Sequence, residues 1–198
     1  MSFGNLGKIF KIKKKHEKKG REEVSLPIEG FEQCVQLMLS YLGKDGSEFS
    51  IVENCKCDKS EMPPHMGSHG TTILRYIGRC YGLAGADPFE DLEIDQIVDI
   101  FNDFISKLLL LGKEGKSLKV KEAEQLKSEA LEFLTKFDAI IVANGGHLAL
   151  NKLTWADFLL GGMWDYIREV LQIDLKQFTN IEKAVRNVTS IRRTSVPA

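Results

Sequence analysis

Leu153-Thr154-Trp155-Ala156-Asp157-Phe158 is the stretch from which the fold is read. Thr154 and Asp157 have the spacing of a reciprocal helix cap: the threonine oxygen accepts from the N–H of residue 157, and the carboxylate reaches back to the N–H of residue 154. Two donors that a helix start leaves orphaned are met in this way. The negative charge also suits the N-terminal end of the helix dipole. The apolar run that follows buries Trp155, Phe158, Leu159 and Met163, and the Gly161-Gly162 pair lets a second helix come close at some cost in propensity. A capping box occurs in many helical proteins, so by itself it marks a helix and nothing more.

Composition sets the class. The chain has 198 residues, 43% hydrophobic and 28% charged, which suits a soluble globular protein with a sizeable core. No apolar run approaches the roughly 20 residues that span a bilayer, and charge stands at the N-terminus where a signal peptide needs an apolar block. A cytoplasmic protein is expected. Cys34, Cys55, Cys57 and Cys80 show no repeated pair spacing, and a reducing compartment keeps them as thiols. Cys55-Lys56-Cys57 lacks the two-residue spacing of a redox or zinc motif, so no disulfide and no metal site are assigned.

Working outward toward the N-terminus, charge divides the chain. Residues 1–23 carry eight lysines and arginines against three glutamates, net +5, while the remaining 175 residues carry −6. This reads as a basic extension. Phe3, Leu6, Ile9 and Phe10 have helical spacing, which suits either a short amphipathic helix with weak contact to an anionic surface or a solvated tail. No aromatic residue interleaves the basic run, so nucleic acid is not an expected partner. Val24 to Ile28 suits a strand leading through Glu29-Gly30 into an amphipathic helix, Phe31 to Leu42. Phe49-Ser50-Ile51-Val52 is a second strand, and the pair forms a right-handed βαβ unit if the strands are parallel. Thr72 to Tyr81 is a helix closed by Gly82, with Arg75 and Arg79 on one side. Helices are predicted over Glu90 to Lys107, Lys121 to Val142, from Thr154 onward, and over Phe178 to Arg193. Leu108 to Val120 reads as a helix end and an exposed loop.

Asn144-Gly145-Gly146-His147-Leu148 ahead of the cap, Phe158-Leu159-Leu160-Gly161-Gly162 after it, and Ile73-Leu74-Arg75-Tyr76-Ile77-Gly78-Arg79-Cys80-Tyr81-Gly82-Leu83-Ala84-Gly85 together resemble the cytosolic glutathione transferases, most closely the sigma-like branch. The resemblance runs from Val24 to about Arg193 and is carried from Ile73 onward. It implies a glutathione transferase fold: a shortened α/β thioredoxin-like domain followed by an all-α helical domain. The corresponding division is 1–23 basic N-terminal extension, 24–82 thioredoxin-like glutathione-binding domain, 83–89 linker, and 90–198 helical domain.

What the resemblance implies about chemistry is uneven. The tyrosine whose hydroxyl favours the glutathione thiolate in active sigma-like members corresponds to Ser25, and the arginine after the strand-turn glycine corresponds to Phe31. Met62-Pro63 stands where the family's cis-proline pair offers a backbone edge to glutathione, although the following Pro64 also suits an ordinary loop. The residues that grip the γ-glutamyl carboxylate correspond to His69 and Gly70, with Thr71 next to them at a helix N-terminus able to bind an anion. Asp103 corresponds to the aspartate that reaches across a homodimer to the γ-glutamyl amine. Asp99, Asn102 and Asp103 correspond to residues near a divalent ion in one metal-responsive prostaglandin synthase, with Asn102 in place of a carboxylate; no metal is required. The expected cosubstrate is glutathione and the partner substrate a small apolar electrophile. Two readings stay open: a slow glutathione-conjugating enzyme of the detoxification type, or a non-catalytic ligand-binding or structural protein of the same fold.

Overall fold

The computed structural model describes residues 10–14, 23–26, 31–43, 49–52, 70–114, 120–172 and 175–190. Phe10-Lys11-Ile12-Lys13-Lys14 alternates apolar and basic residues, the period of an extended chain, and forms strand β1 (Phe10–Lys14). At Phe10 this strand stands where either a short amphipathic helix or a solvated tail was expected; residues 3–9 of that expectation lie outside the described residues. Strands β2 (Glu23–Leu26) and β3 (Phe49–Val52) both pair antiparallel with β1. Ile12 stands opposite Val24 on one side and Ile51 on the other. The order is therefore β2-β1-β3. Since both flanking strands oppose β1, they run parallel to each other as a crossover unit requires. They are not neighbours, however, because residues assigned to the extension lie between them.

Six helices are described: α1 (Phe31–Tyr41), α2 (Gly70–Cys80), α3 (Pro88–Glu114), α4 (Val120–Ala143), α5 (Trp155–Leu171) and α6 (Thr179–Thr189). Helix α2 ends in a Schellman motif, with Gly82 at φ 73° and the Leu83 N–H donating to the Gly78 carbonyl at 2.8 Å. The left-handed conformation there is what glycine supplies. Helix α3 continues past Lys107 to Glu114, where a loop was expected. Its Gly112 is not a stop but a point of close approach: a Cβ there would lie 3.1 Å from the Tyr166 hydroxyl on α5.

Helix α5 is the centre of the molecule. Residues 155 to 164 are buried on every side of it, the pattern of a helix enclosed by others. It packs against α1, α2, α3 and α6. Gly162 admits α1, since a Cβ at that position would lie 2.5 Å from the backbone nitrogen and Sγ of Cys34. The Cys34 thiol is fully buried and donates to the Leu159 carbonyl at 3.5 Å; burial pushes its pKa up. Away from α5, helices α3 and α4 close over an aromatic cluster in which the rings of Phe101 and Phe137 meet edge to face at 5.6 Å. Among the described residues no helix is long and apolar enough to cross a membrane.

Candidate functional site

The predicted cap is present and buried. Asp157 Oδ2 accepts from the Thr154 N–H at 2.8 Å and from the Thr154 hydroxyl at 3.2 Å. The Asp157 N–H faces the Thr154 side chain as a capping box requires, and bonds the Thr154 carbonyl at 3.1 Å. The other carboxylate oxygen accepts from the Leu148 N–H at 2.9 Å and lies 3.7 Å from His147 Nδ1. That Asp157 contact raises the pKa of His147, partly offset by desolvation. Asn144-Gly145-Gly146 is a second Schellman motif, ending α4: Gly145 has φ 59° and the Gly146 N–H reaches the Ile141 carbonyl at 2.8 Å. One carboxylate thus fastens the turn after α4 to the first turn of α5. This hub is built from the residues that carry the family resemblance, and its chemistry is that of hydrogen-bond satisfaction.

The residues expected to touch a thiol peptide sit elsewhere. Ser25 lies in β2, in register with Lys11 of β1. Met62, Pro63 and His69 lie outside the described residues. Gly70 and Thr71 open α2, whose first turn carries no acidic residue, so the positive end of its dipole is not neutralised by its own side chains. Gly70 is buried and Thr71 half-buried. Phe31, the residue at the expected arginine position, is 7% exposed and packs its ring against Gly70. Asp99 and Asp103 are both exposed on α3, with Asn102 half-buried beside them. Among the described residues no group of three or more His, Cys, Asp or Glu side chains is placed to hold a metal ion.

Between α2 and α3 the structure shows pairs that sequence reasoning missed. Arg75 Nε donates to Asp95 at 2.8 Å, and the Arg75 guanidinium lies 5.4 Å from the centre of the Trp155 ring. Asp95 is half-buried in this ion pair. Arg79 donates to Asp91 at 2.8 Å, and the second Asp91 oxygen accepts from the Gly85 N–H at 3.0 Å. Glu90 accepts from the Ala86 N–H at 2.8 Å and from Lys152 at 2.7 Å, which lowers its pKa. The Trp155 backbone N–H donates to the Leu83 carbonyl at 2.9 Å. The spacing of Arg75 and Arg79 with Asp91 and Asp95 held a signal, since each pair is four apart and lies on one face of its helix.

Comparison with known proteins gives the pattern a context. Residues 99–194 match the family described as "Glutathione S-transferase, C-terminal domain". The chain is similar to "Glutathione S-transferase 2" of Manduca sexta, 43% identical over 122 residues that make up 60% of each chain. It is also similar to "Glutathione S-transferase" of Anopheles gambiae, 39% identical over 119 residues, 59% of each. The match thus spans about three fifths of those relatives' length. Among solved structures, prostaglandin synthase D of Nilaparvata lugens shares the fold with a TM-score of 0.65 and 24% identity, over 87% of this chain and 96% of that one.

Proposed function

We propose that this chain, whose residues 99–194 match the glutathione S-transferase C-terminal domain and which is similar to insect glutathione S-transferases, is a cytosolic, sigma-like glutathione transferase that acts slowly. In this reading glutathione lies along the first turn of α2, where the N–H and hydroxyl of Thr71 and the N–H of Gly70 receive a carboxylate, with His69 beside them. The Met62-Pro63 backbone edge pairs with the cysteinyl residue, and Asp103 of a second copy receives the γ-glutamyl amine. The sulfur attacks a small apolar electrophile. The observation that carries the reading is the similarity of about 40% to two insect glutathione S-transferases.

The rate follows from Ser25. A phenol at the position of Ser25 in β2 reaches the sulfur and donates to the developing thiolate, and a serine in that place has less reach. Loss of one such donor costs on the order of 10² to 10³ in rate. The same residue favours the second reading, a protein that binds a ligand in this cleft without turning it over, with a structural role as in the lens crystallins of the family.

Retention on immobilised glutathione, followed by conjugation of a standard aryl halide, tests both. Retention with measurable turnover supports the enzyme, and turnover should be unchanged in Ser25→Ala. Retention without turnover selects the second reading. A chain that is neither retained nor active does not use glutathione. Robust turnover that collapses in Ser25→Ala overturns the slow-enzyme account and makes this serine the thiolate's donor.

A further inference from the structure

Asn144-Gly145-Gly146, the turn that closes α4, contains the one Asn-Gly step in the sequence. The backbone nitrogen after an asparagine can attack the side-chain amide and close a small, unstrained ring, and glycine favours this because its missing Cβ leaves the approach open. The structure keeps that approach clear. Gly145 is exposed at φ 59°, and a Cβ placed on it would meet nothing nearer than Asn151 Oδ1 at 3.6 Å. Its N–H is also the most loosely held of the turn. It donates to the Val142 carbonyl at 3.3 Å, against 2.9 Å for Asn144 to Ile140, 2.8 Å for Gly146 to Ile141 and 3.1 Å for His147 to Asn144, and such bonds are weak beyond about 3.2 Å. The amide under attack is half-buried and tied by two long bonds, Nδ2 donating to the Ile140 carbonyl at 3.2 Å and to the Leu148 carbonyl at 3.4 Å.

We propose that Asn144 is a self-modification site and that the Asp157 latch sets how fast it reacts. The Gly145 nitrogen bonds to Asn144 Cγ, the Cγ–Nδ2 bond breaks, and ammonia leaves with the proton from the Gly145 nitrogen. Water then opens the cyclic imide at one carbonyl or the other, giving aspartate or isoaspartate. Ring closure requires the Asn144 side chain to leave the Leu148 carbonyl and turn toward Gly145. Leu148 is itself fixed by its N–H, which Asp157 Oδ1 accepts at 2.9 Å, so the latch holds the amide away from the nitrogen. Either product sets a carboxylate beside the two carbonyl oxygens that the amide had served, and isoaspartate also lengthens the backbone of a turn closed by the bond from Gly146 to Ile141. Conversion therefore unfastens the turn that Asp157 fastens, and loosening in turn speeds conversion. Neither step involves the proposed glutathione cleft.

The test ages the full chain at mildly alkaline pH and physiological temperature, with samples taken over weeks for peptide mapping by mass spectrometry, for isoaspartate by enzymatic carboxyl methylation, and for melting. In wild type, Asn144 should convert ahead of every other asparagine, and Tm should drift down by roughly 2–6 °C as the converted fraction rises, the size expected for the loss of a half-buried donor in a chain of this length. Asn144→Gln, whose longer side chain closes to the imide far more slowly, should hold a constant Tm over the same period whatever its starting value. Asp157→Asn weakens the latch and should convert Asn144 about threefold faster or more, through more frequent opening of the turn. Thr154→Ala removes only the hydroxyl that Asp157 accepts and gives the same comparison at smaller cost in stability. The proposal is overturned if another asparagine converts first, if Asn144 converts with no drift in Tm, or if neither latch variant changes its rate.

Discussion

A single carboxylate, that of Asp157, accepts two backbone N–H groups and one hydroxyl in a buried position. Each buried donor left without an acceptor costs about 1–3 kcal/mol, and loss of the cap adds about 1 kcal/mol. Asp157→Ala should therefore reduce stability by roughly 3–5 kcal/mol, read as a lowered midpoint in urea. His147 adds a pH dependence. Its pKa is raised from the ordinary 6.5 by Asp157, so the folded state holds the proton more tightly than the unfolded chain does. The contribution is complete below the unfolded value and vanishes as pH rises through the folded one. His147→Gln should accordingly cost stability at about pH 5.5 and little at about pH 8.5, with the two melting curves converging on the alkaline side. A gap between the variants that widens with pH would contradict the assignment of the shift to Asp157.

Helices differ in how openly the sequence announces their ends. The start of α5 was legible because both halves of its cap lie within four residues, and the ends of α2 and α4 because glycine marks their left-handed turns. Helix α6 has no such signal. Its N-cap position is Phe178, which makes no side-chain cap. Asp138 of α4 supplies one instead, accepting from the N–H groups of Asn180 and Ile181 at 3.0 Å each and from the Asn180 side chain at 2.7 Å. A cap that arrives from 42 residues away leaves no trace in local spacing. Asp138→Ala should remove about 1–2 kcal/mol, and hydrogen exchange should show the gain in opening confined to the first turn of α6. The same limit explains the other departures. Gly112 lies in the stretch read as a helix end and loop, where helix α3 instead runs on close to Tyr166, while the Phe31–Gly70 meeting joins two helix starts that no periodicity connects. Strand β1 was legible in principle, because the period of two in Phe10-Lys11-Ile12-Lys13 competes with the helical spacing of the apolar residues before it. Asp103 stands on the predicted helix and is exposed, but its proposed role depends on a second copy.

At the scale of the whole molecule, helices α1 and α2 are held to the helices after them by packing and by charge. Helices α1 and α2 lie on α5, two arginine–aspartate pairs join α2 to α3, and the Leu83 carbonyl receives the first N–H of α5. Because β1 is the middle strand, deletion of residues 1–22 should lower Tm and the strand signal in circular dichroism, whereas deletion of residues 1–9 should leave both unchanged. Equal melting of the two truncations would show that β1 contributes nothing to the sheet. Helix α3 exposes Phe89, Leu92 and Ile100 together with Asp99 and Asp103, and with the proposed site this leads us to expect a homodimer. Light scattering at micromolar concentration should return twice the chain mass of 22.3 kDa, and a single-chain mass would remove Asp103 from the glutathione site. The docking of α1 on α5 also bears on synthesis. Cys34 meets Leu159 across 125 residues of chain, and at about 5–20 residues per second the ribosome takes roughly 6–25 s to make the intervening segment. During that interval the apolar side of α1 has left the tunnel and its partner does not yet exist, so the nascent chain presents Val35, Met38 and Leu39 to whatever chaperone waits at the exit.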